Sequence, residues 1–226
     1  MPLILNIDTA VQSASICLAD GDKILATAIN PSEKESAAWL HTAIDALLRQ
    51  AKIPINELDA VAVSEGPGSY TGLRVSMATA KGLCYALNVP LITVPTLQMM
   101  ATAALPVAAS AQLLCPMIDA RRAEVFTALY DAELKEVMPT ANLILDENTF
   151  SDWLQTNTVL FFGNGSNKAM PLLTHCHALF ANVTANASHM CRLSYKKFLQ
   201  EQFSELAYTE PFYAKAFHSL PAKKKY

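Results

Sequence analysis

Five of the seven glycines in this sequence fall in two short stretches, with Gly66, Gly68 and Gly72 in the first and Gly163 and Gly165 in the second. Each stretch follows an apolar, strand-like run and precedes a helical one. Glycine there permits a positive φ and the close approach of another backbone, and the helix beyond it turns unsatisfied N–H groups toward whatever lies in front. Such a junction suits an anion such as a phosphate. A tight strand-to-helix turn needs glycine for its own geometry too, so Gly-x-Gly leaves both readings open. The one cluster of metal-ligating residue types is His175-Cys176-His177, and in its polar surroundings it reads as surface rather than as a ligand set.

The elements that would position the junctions follow from the apolar spacing. Leu3–Asp8, Ser13–Asp20 and Lys23–Asn30 are expected as an antiparallel meander, the last two joined by the turn Asp20-Gly21-Asp22. Ser32 is placed to cap a helix over 33–51 whose Ala37, Leu40, Ile44, Leu47, Leu48 and Ala51 share one face. A strand over Asp59–Ser64, a helix over Tyr70–Leu87, a strand over Leu91–Val94 and a helix opened by Thr96 complete the order βββαβαβα, the layout of ribonuclease-H-like folds. The second half starts the same way. A shift of 111 residues carries Leu3, Ile7, Asp8, Leu18 and Asp20 onto Leu114, Ile118, Asp119, Leu129 and Asp131. A shift of 97 carries Val63, Gly66, Gly68 and Ser69 onto Leu160, Gly163, Gly165 and Ser166. The expected fold is α/β, with two duplicated ribonuclease-H-like domains of mixed sheets flanked by helices. The expected boundary lies near Pro106, giving domains 1–106 and 107–226, with the C-terminal tail free to pack back on the first.

With 52% hydrophobic and 16% charged residues and a mean hydropathy of +0.21, the chain has ample material for sheets buried on both faces, or for an apolar surface kept for a partner. A net charge of −3 lacks the basic footprint of a protein that grips phosphate backbones unaided, so nucleic acid is expected to be handled mainly through a partner. The five cysteines are scattered, never spaced Cys-x-x-Cys, and read as reduced, mostly buried thiols of a cytoplasmic protein. Asp8 interrupts the apolar start and no basic segment precedes it, which argues against a signal peptide. From Gly82 to Ile118 there is no charged residue, but Pro90, Pro95, Pro106 and Pro116 cut the stretch into pieces too short to span a bilayer.

Duplicated ribonuclease-H-like halves, each with an aspartate ending its first strand, resemble the actin, sugar-kinase and heat-shock ATPase superfamily. That likeness implies a nucleotide cleft between the halves, with Asp8 and Asp119 as ligands of metal-bound water, or as mere turn caps in an inactive member. The turns after them, Asp8-Thr9-Ala10-Val11-Gln12-Ser13 and Asp119-Ala120-Arg121-Arg122-Ala123-Glu124, contain no glycine. A β-carbon there would crowd a phosphate, which argues against productive ATP use and leaves room only for weak ATP or ADP binding around Asp8, Thr9, Gly66, Gly68, Ser69, Asp119 and Arg121.

Within that superfamily the chain is similar to the TsaB (YeaZ) family. The likeness rests on Ile7-Asp8-Thr9-Ala10, on the run Gly66-Pro67-Gly68-Ser69-Tyr70-Thr71-Gly72-Leu73-Arg74, on Ile118-Asp119-Ala120-Arg121 with Glu124-Val125-Phe126, and on Glu210-Pro211-Phe212-Tyr213. It departs from the family at Ala214-Lys215, where Leu-Arg is usual, and at Ala123, where glycine is usual. The resemblance implies a non-catalytic, cytoplasmic subunit that activates TsaD, the enzyme that places threonylcarbamoyl on tRNA adenosine. It also implies homodimerisation when TsaD is absent and contact with the ATPase TsaE through the assembled complex. No catalytic residue and no metal ligand is assigned: the His-x-x-x-His pair of TsaD-like proteins has no counterpart among the five histidines. Lys223–Lys225 is read as a solubilising end rather than a tRNA contact.

The helix expected over Tyr70–Leu87 is apolar on two sides. Leu73, Met77, Ala80, Cys84 and Leu87 suit its own sheet, and the small-residue stripe Val75, Ala78, Gly82 and Ala86 suits close approach of a second helix. Either the neighbouring helix of the same domain packs there or a partner does, and the family resemblance favours the partner. The interface residues it implies are Ala37, Leu40, His41, Ile44, Thr71, Arg74, Val75, Ala78, Gly82 and Ala86. The competing functions are an actin-like nucleotide-binding kinase or ATPase using Asp8 and Asp119, and a glycoprotease-type metallopeptidase.

Overall fold

The computed structural model describes residues 1–32, 36–108 and 110–215. The chain runs β1 (Leu3–Asp8), β2 (Ser15–Asp20), β3 (Lys23–Ile29), α1 (Ser36–Ala51), β4 (Ala60–Gly66), α2 (Tyr70–Leu87), β5 (Leu91–Pro95) and α3 (Thr96–Ala104). It then repeats the order with β6 (Leu113–Asp119), β7 (Glu124–Tyr130), β8 (Glu136–Ile144), α4 (Ser151–Thr156), β9 (Val159–Phe162), α5 (Ser166–Ala169), β10 (Ala178–Ala181) and α6 (Cys191–Leu199). The strands form two five-stranded mixed sheets, ordered β3-β2-β1-β4-β5 and β10-β9-β6-β7-β8, so the second is the first reiterated. β1 pairs antiparallel with β2 and parallel with β4, and β6 does the same with β7 and β9.

Strand alternation in the first sheet explains its two covers. Leu5, Ile7, Leu18, Val61 and Val63 point to the face packed by Leu40, Ile44 and Leu47 of α1 and by Met77, Ala80 and Cys84 of α2. Ile4, Cys17, Ala62, Ile92 and Val94 point the other way, onto Leu97, Met100 and Ala104 of α3 and Cys191 and Leu193 of α6. This second layer continues into Leu114, Ile118, Leu160 and Phe162 of the other sheet, so α3 is shared filling between the halves. The change of sheet falls just after the 3-10 turn Leu105–Val107. α6, late in the sequence, packs back on β1 and β5.

Differences from the sequence reading are local. β2 starts at Ser15 rather than Ser13, because the chain after Asp8 is held as a turn by the Ala10 amide donating to Asp8 Oδ1 at 3.0 Å. β4 runs on to Gly66, where it pairs with Pro95. The start of the helix proposed over 33–51, with the positions that Ser32 would cap, His218 and Lys223–Lys225 lie outside the described residues. The uncharged stretch from Gly82 to Ile118 builds the end of α2, then β5, α3 and most of β6, and among the described residues no helix is long and apolar enough to cross a membrane.

Candidate functional site

A cleft of about 980 Å³ opens between the halves, floored by Ala10, Gly68 and Ser69 from one and by Asp119, Arg121 and Asn164 from the other, with Tyr213 and Lys215 at its rim. This is where the two aspartate turns and the first glycine junction converge. The residues expected around it divide into two groups. Gly68, Ser69, Asp119 and Arg121 line it, whereas Asp8 and Thr9 do not.

Asp8 is fully buried at the end of β1. Its Oδ1 accepts from Ser64 Oγ at 2.6 Å and from the Ala10 amide, while Oδ2 has no partner among the described residues. Burial pushes its carboxyl above the ordinary value, against the opposing pull of those hydrogen bonds. Thr9 is buried too, its hydroxyl donating to the Gly72 carbonyl at 2.6 Å. Both expectations for these residues as cleft groups are therefore corrected: the apolar strand carries them under the floor. Gly66 also faces elsewhere. Its φ is +122°, and the space in front of it is taken by the carbonyl of Phe212, whose amide donates to Glu65 O at 2.7 Å.

The first junction packs against the β1–β2 turn. A β-carbon on Gly68 would collide with the backbone of Ala10, and one on Gly72 with the carbonyl of Thr9. The Ser69 amide donates to Ala10 O at 2.8 Å, the Gly72 amide to Ser69 Oγ at 3.2 Å, and the Leu73 amide to Ser69 O at 2.8 Å. Three donors at the head of α2 are thus satisfied internally. The glycines serve close packing of the β1–β2 turn against α2.

On the opposite wall Asp119 is exposed and ion-paired. Its Oδ1 accepts from Lys168 Nζ at 2.6 Å and from the Arg121 amide at 2.6 Å, and the Lys168 hydrogen bond holds its carboxyl below the ordinary range. Lys168 was not singled out from the sequence, since nothing local signals that a lysine 49 residues on reaches this aspartate. Arg121 and Arg122 follow in left-handed backbone, with φ of 68° and 49°. Lys215 pairs with Glu124 Oε2 at 2.5 Å, which lowers the Glu124 carboxyl. Nucleotide with its magnesium fits these residues poorly: one aspartate is sealed from the cleft and the other is neutralised by lysine.

The remaining expected residues lie on the far side of the first sheet. Leu40 and Ile44 are buried in its core and cannot face a partner, which corrects their assignment to the interface. Thr71, Arg74, Ala78, Gly82 and Ala86 are exposed along one face of α2, with Val75 half-buried beside them. A β-carbon on Gly82 would meet nothing within 4 Å. Ala37 and His41 are exposed on α1, and His41 Nε2 lies 3.5 Å from Thr79 Oγ1, marking the line where the two helices touch. So α1 leaves the small-residue stripe uncovered. Tyr85, 83% exposed and one turn on from Gly82, was missed, although its spacing places it on the same stripe. Arg74 is held over the Tyr70 ring at 4.6 Å and donates from Nε to the Tyr213 hydroxyl at 3.3 Å, so the tail motif braces the base of this face.

His175, Cys176 and His177 have ligand atoms within 4.8 Å of one another, with both His175 and Cys176 exposed, far along the chain from either feature.

The chain has relatives among known proteins. The family model for TsaD, tRNA N6-adenosine threonylcarbamoyltransferase, matches residues 23–151. A Bacillus subtilis protein named tRNA threonylcarbamoyladenosine biosynthesis protein TsaB is 29% identical over 207 residues, covering 88% of this chain and 87% of its own length. The chain belongs to the TsaB (YeaZ) branch of the TsaD family. The Escherichia coli TsaB protein is 31% identical over 130 residues, covering 58% of this chain and 55% of its own. The solved structure of YeaZ from Pseudomonas aeruginosa superposes with a TM-score of 0.81 at 22% identity, covering 94% of this chain and all of that one, which shows the shared TsaB fold. The activator of 2-hydroxyisocaproyl-CoA dehydratase from Clostridium difficile, at a TM-score of 0.50 and 6% identity over 88% of this chain, shares the duplicated actin-like frame.

Proposed function

We propose that this chain acts in threonylcarbamoyladenosine modification of tRNA as a non-catalytic subunit that binds and activates a TsaD-type enzyme through the exposed face of α2. The observation that carries the reading is the uncovered stripe Ala78, Gly82 and Ala86, flanked by Arg74 and Tyr85, on a helix whose other side is already committed to its own core. Small residues let a second helix come close, and an aromatic and an arginine beside them supply the anchoring that such contacts use. The cleft supports the non-catalytic part: with Asp8 sealed and Asp119 paired with Lys168, neither aspartate is free to hold a metal ion beside a phosphate. Any ATP or ADP held there is expected to bind weakly.

Reconstitution tests this. A TsaD-type enzyme supplied with threonylcarbamoyl donor and tRNA should gain activity on addition of this chain, and Asp8→Asn and Asp119→Asn versions should support that gain as well as the parent. Turnover by the chain alone, or a gain abolished in Asp119→Asn, would return the cleft to an enzymatic role of the kinase or ATPase kind.

A further inference from the structure

On the other cover of the first sheet, opposite α1 and α2, a groove of about 490 Å³ runs between α6 and the β7–β8 turn. Its lining brings together Lys135 from that turn and Arg192, Lys196 and Lys197 from α6, with Glu133 in the lining and Asp131 at the base of the same turn. Arg192 and Lys196 are four residues apart and so project from one face of the helix, while Leu193 between them is buried in the core. Lys197 is tethered, donating to Thr93 O at 2.6 Å. Lys135, Arg192 and Lys196 are exposed, and none has an ion-pair partner among the described residues. Of the cations near the cleft, Lys168 and Lys215 are spent on carboxylates.

The wall is built rather than loose. Asp131 Oδ1 accepts from the amides of Glu133 and Lys135, at 3.1 and 2.8 Å, which fixes the turn that carries Lys135. Gln98 of α3 donates to Leu134 O at 3.1 Å and ties that turn to the first half. In a chain of net charge −3, four cations on one groove with three of them unpaired mark a place kept for a polyanion. We infer that this groove takes the phosphodiester backbone of the tRNA while α2 holds the protein partner. Because the two surfaces cover opposite faces of the same sheet, both can be engaged at once. Exposed lysines and arginine along a shallow groove suit phosphates spaced along a strand better than a single enclosed anion, and they position without reading sequence. The inference rests on the function proposed above for its choice of RNA. It also accommodates the low overall charge: a few contacts add to a grip that the partner supplies.

The test uses the assembled complex with the TsaD-type enzyme and a tRNA transcript, by fluorescence anisotropy across a salt series. Removing one cation that neutralises a phosphate takes roughly 0.7–0.9 from the slope of log affinity against log salt. The variant Lys135→Ala/Arg192→Ala/Lys196→Ala should therefore bind tRNA about tenfold more weakly near 0.1 M salt, with a slope shallower by about 2, while still pulling down the enzyme. Glu133→Gln, a single surface change, should tighten binding about twofold and guards against a triple variant that fails to fold. Unchanged affinity and slope in the triple variant, with enzyme binding intact, would overturn the groove alone. A polyglutamate peptide that binds the wild-type groove in place of tRNA would overturn it in favour of an acidic protein. Failure of the wild-type chain to bind the enzyme at all would instead remove the function on which the choice of RNA rests.

Discussion

The hydroxyl of Thr9 donates to the carbonyl of Gly72 at 2.6 Å, and the carbonyl of Thr9 fills the space that a β-carbon on Gly72 would need. The β1–β2 turn and the head of α2 are thus locked together twice, by a hydrogen bond and by a backbone contact that only glycine admits. The place that glycine spacing offered to a phosphate is a protein joint.

That joint should be sensitive to single atoms. Gly72→Ala and Gly68→Val each force a β-carbon into the backbone of residues 9 and 10, and each is expected to cost about 2–4 kcal/mol of stability. Thr9→Val keeps the shape, loses the buried hydrogen bond and should cost about 1–2 kcal/mol. Urea denaturation would measure all three. A Gly68→Val midpoint equal to that of the parent would mean the turn can move away from α2.

Asp8 gives a pH dependence with a definite sign. Burial raises its folded-state pKa above the ordinary 3.8, so within the window between the two values the folded chain binds more protons than the unfolded one. Stability from this group is therefore greatest below that window and falls as pH rises through it. Asp8→Asn removes the charge that burial penalises and keeps an oxygen for Ser64 and Ala10. The variant should match the parent near the bottom of the window and exceed it in stability at neutral pH. Asp119 and Glu124, whose pKa values are lowered by Lys168 and Lys215, contribute with the opposite sign but cancel in the difference between variant and parent. A difference in melting temperature that stays flat with pH would falsify this account.

Much of the frame was legible in the sequence because it is periodic. The alternation Leu5, Ile7 against Ile4, Asn6, the glycines after β4 and β9, and the offset that maps Asp8 on Asp119 together specify two sheets of the same order. What escaped was whatever depends on contacts distant along the chain. Leu40 and Ile44 sit on the apolar stripe of α1, and periodicity cannot say whether such a stripe meets its own sheet or another protein; burial decides for the sheet. Gly66 was read as room for an anion, yet the carbonyl of Phe212 fills that room. Lys168 on α5 reaches Asp119 at the end of β6, and Arg192 and Lys196 meet Lys135 across the domain junction, pairings to which no local motif points.

The tail motif should act on the partner face through Arg74. Tyr213 stacks near Tyr70, with centroids 5.5 Å apart, and its hydroxyl takes the Arg74 Nε–H. Tyr213→Ala removes the hydroxyl that holds the guanidinium and the ring that supports Tyr70 beneath it, and is expected to weaken association with the enzyme about threefold to tenfold, while Tyr213→Phe keeps the ring and loses less. Isothermal titration of the two variants would separate them, and equal affinity for parent and Tyr213→Ala would show that Arg74 is not part of the contact.

The sharpest contrast on α2 is between Gly82, which meets nothing, and the core residues that α1 sends toward the same helix. Arginine at position 82 has open space to enter, so Gly82→Arg should leave the fold and its melting temperature within about 1 kcal/mol of the parent. Pressed into a close helix contact, that same charge would be desolvated without a partner, and binding of the enzyme, or self-association, should weaken by about 2–4 kcal/mol. Leu40→Ala reverses the pattern: it opens a cavity under α1, should cost about 2–4 kcal/mol of stability, and leaves the exposed stripe as it was. Circular dichroism melting gives the first quantity for each variant, and sedimentation velocity with and without the enzyme gives the second. A folded Gly82→Arg chain that sediments with the enzyme as the parent does would place the contact on another surface, and the small residues along α2 would then need a different explanation.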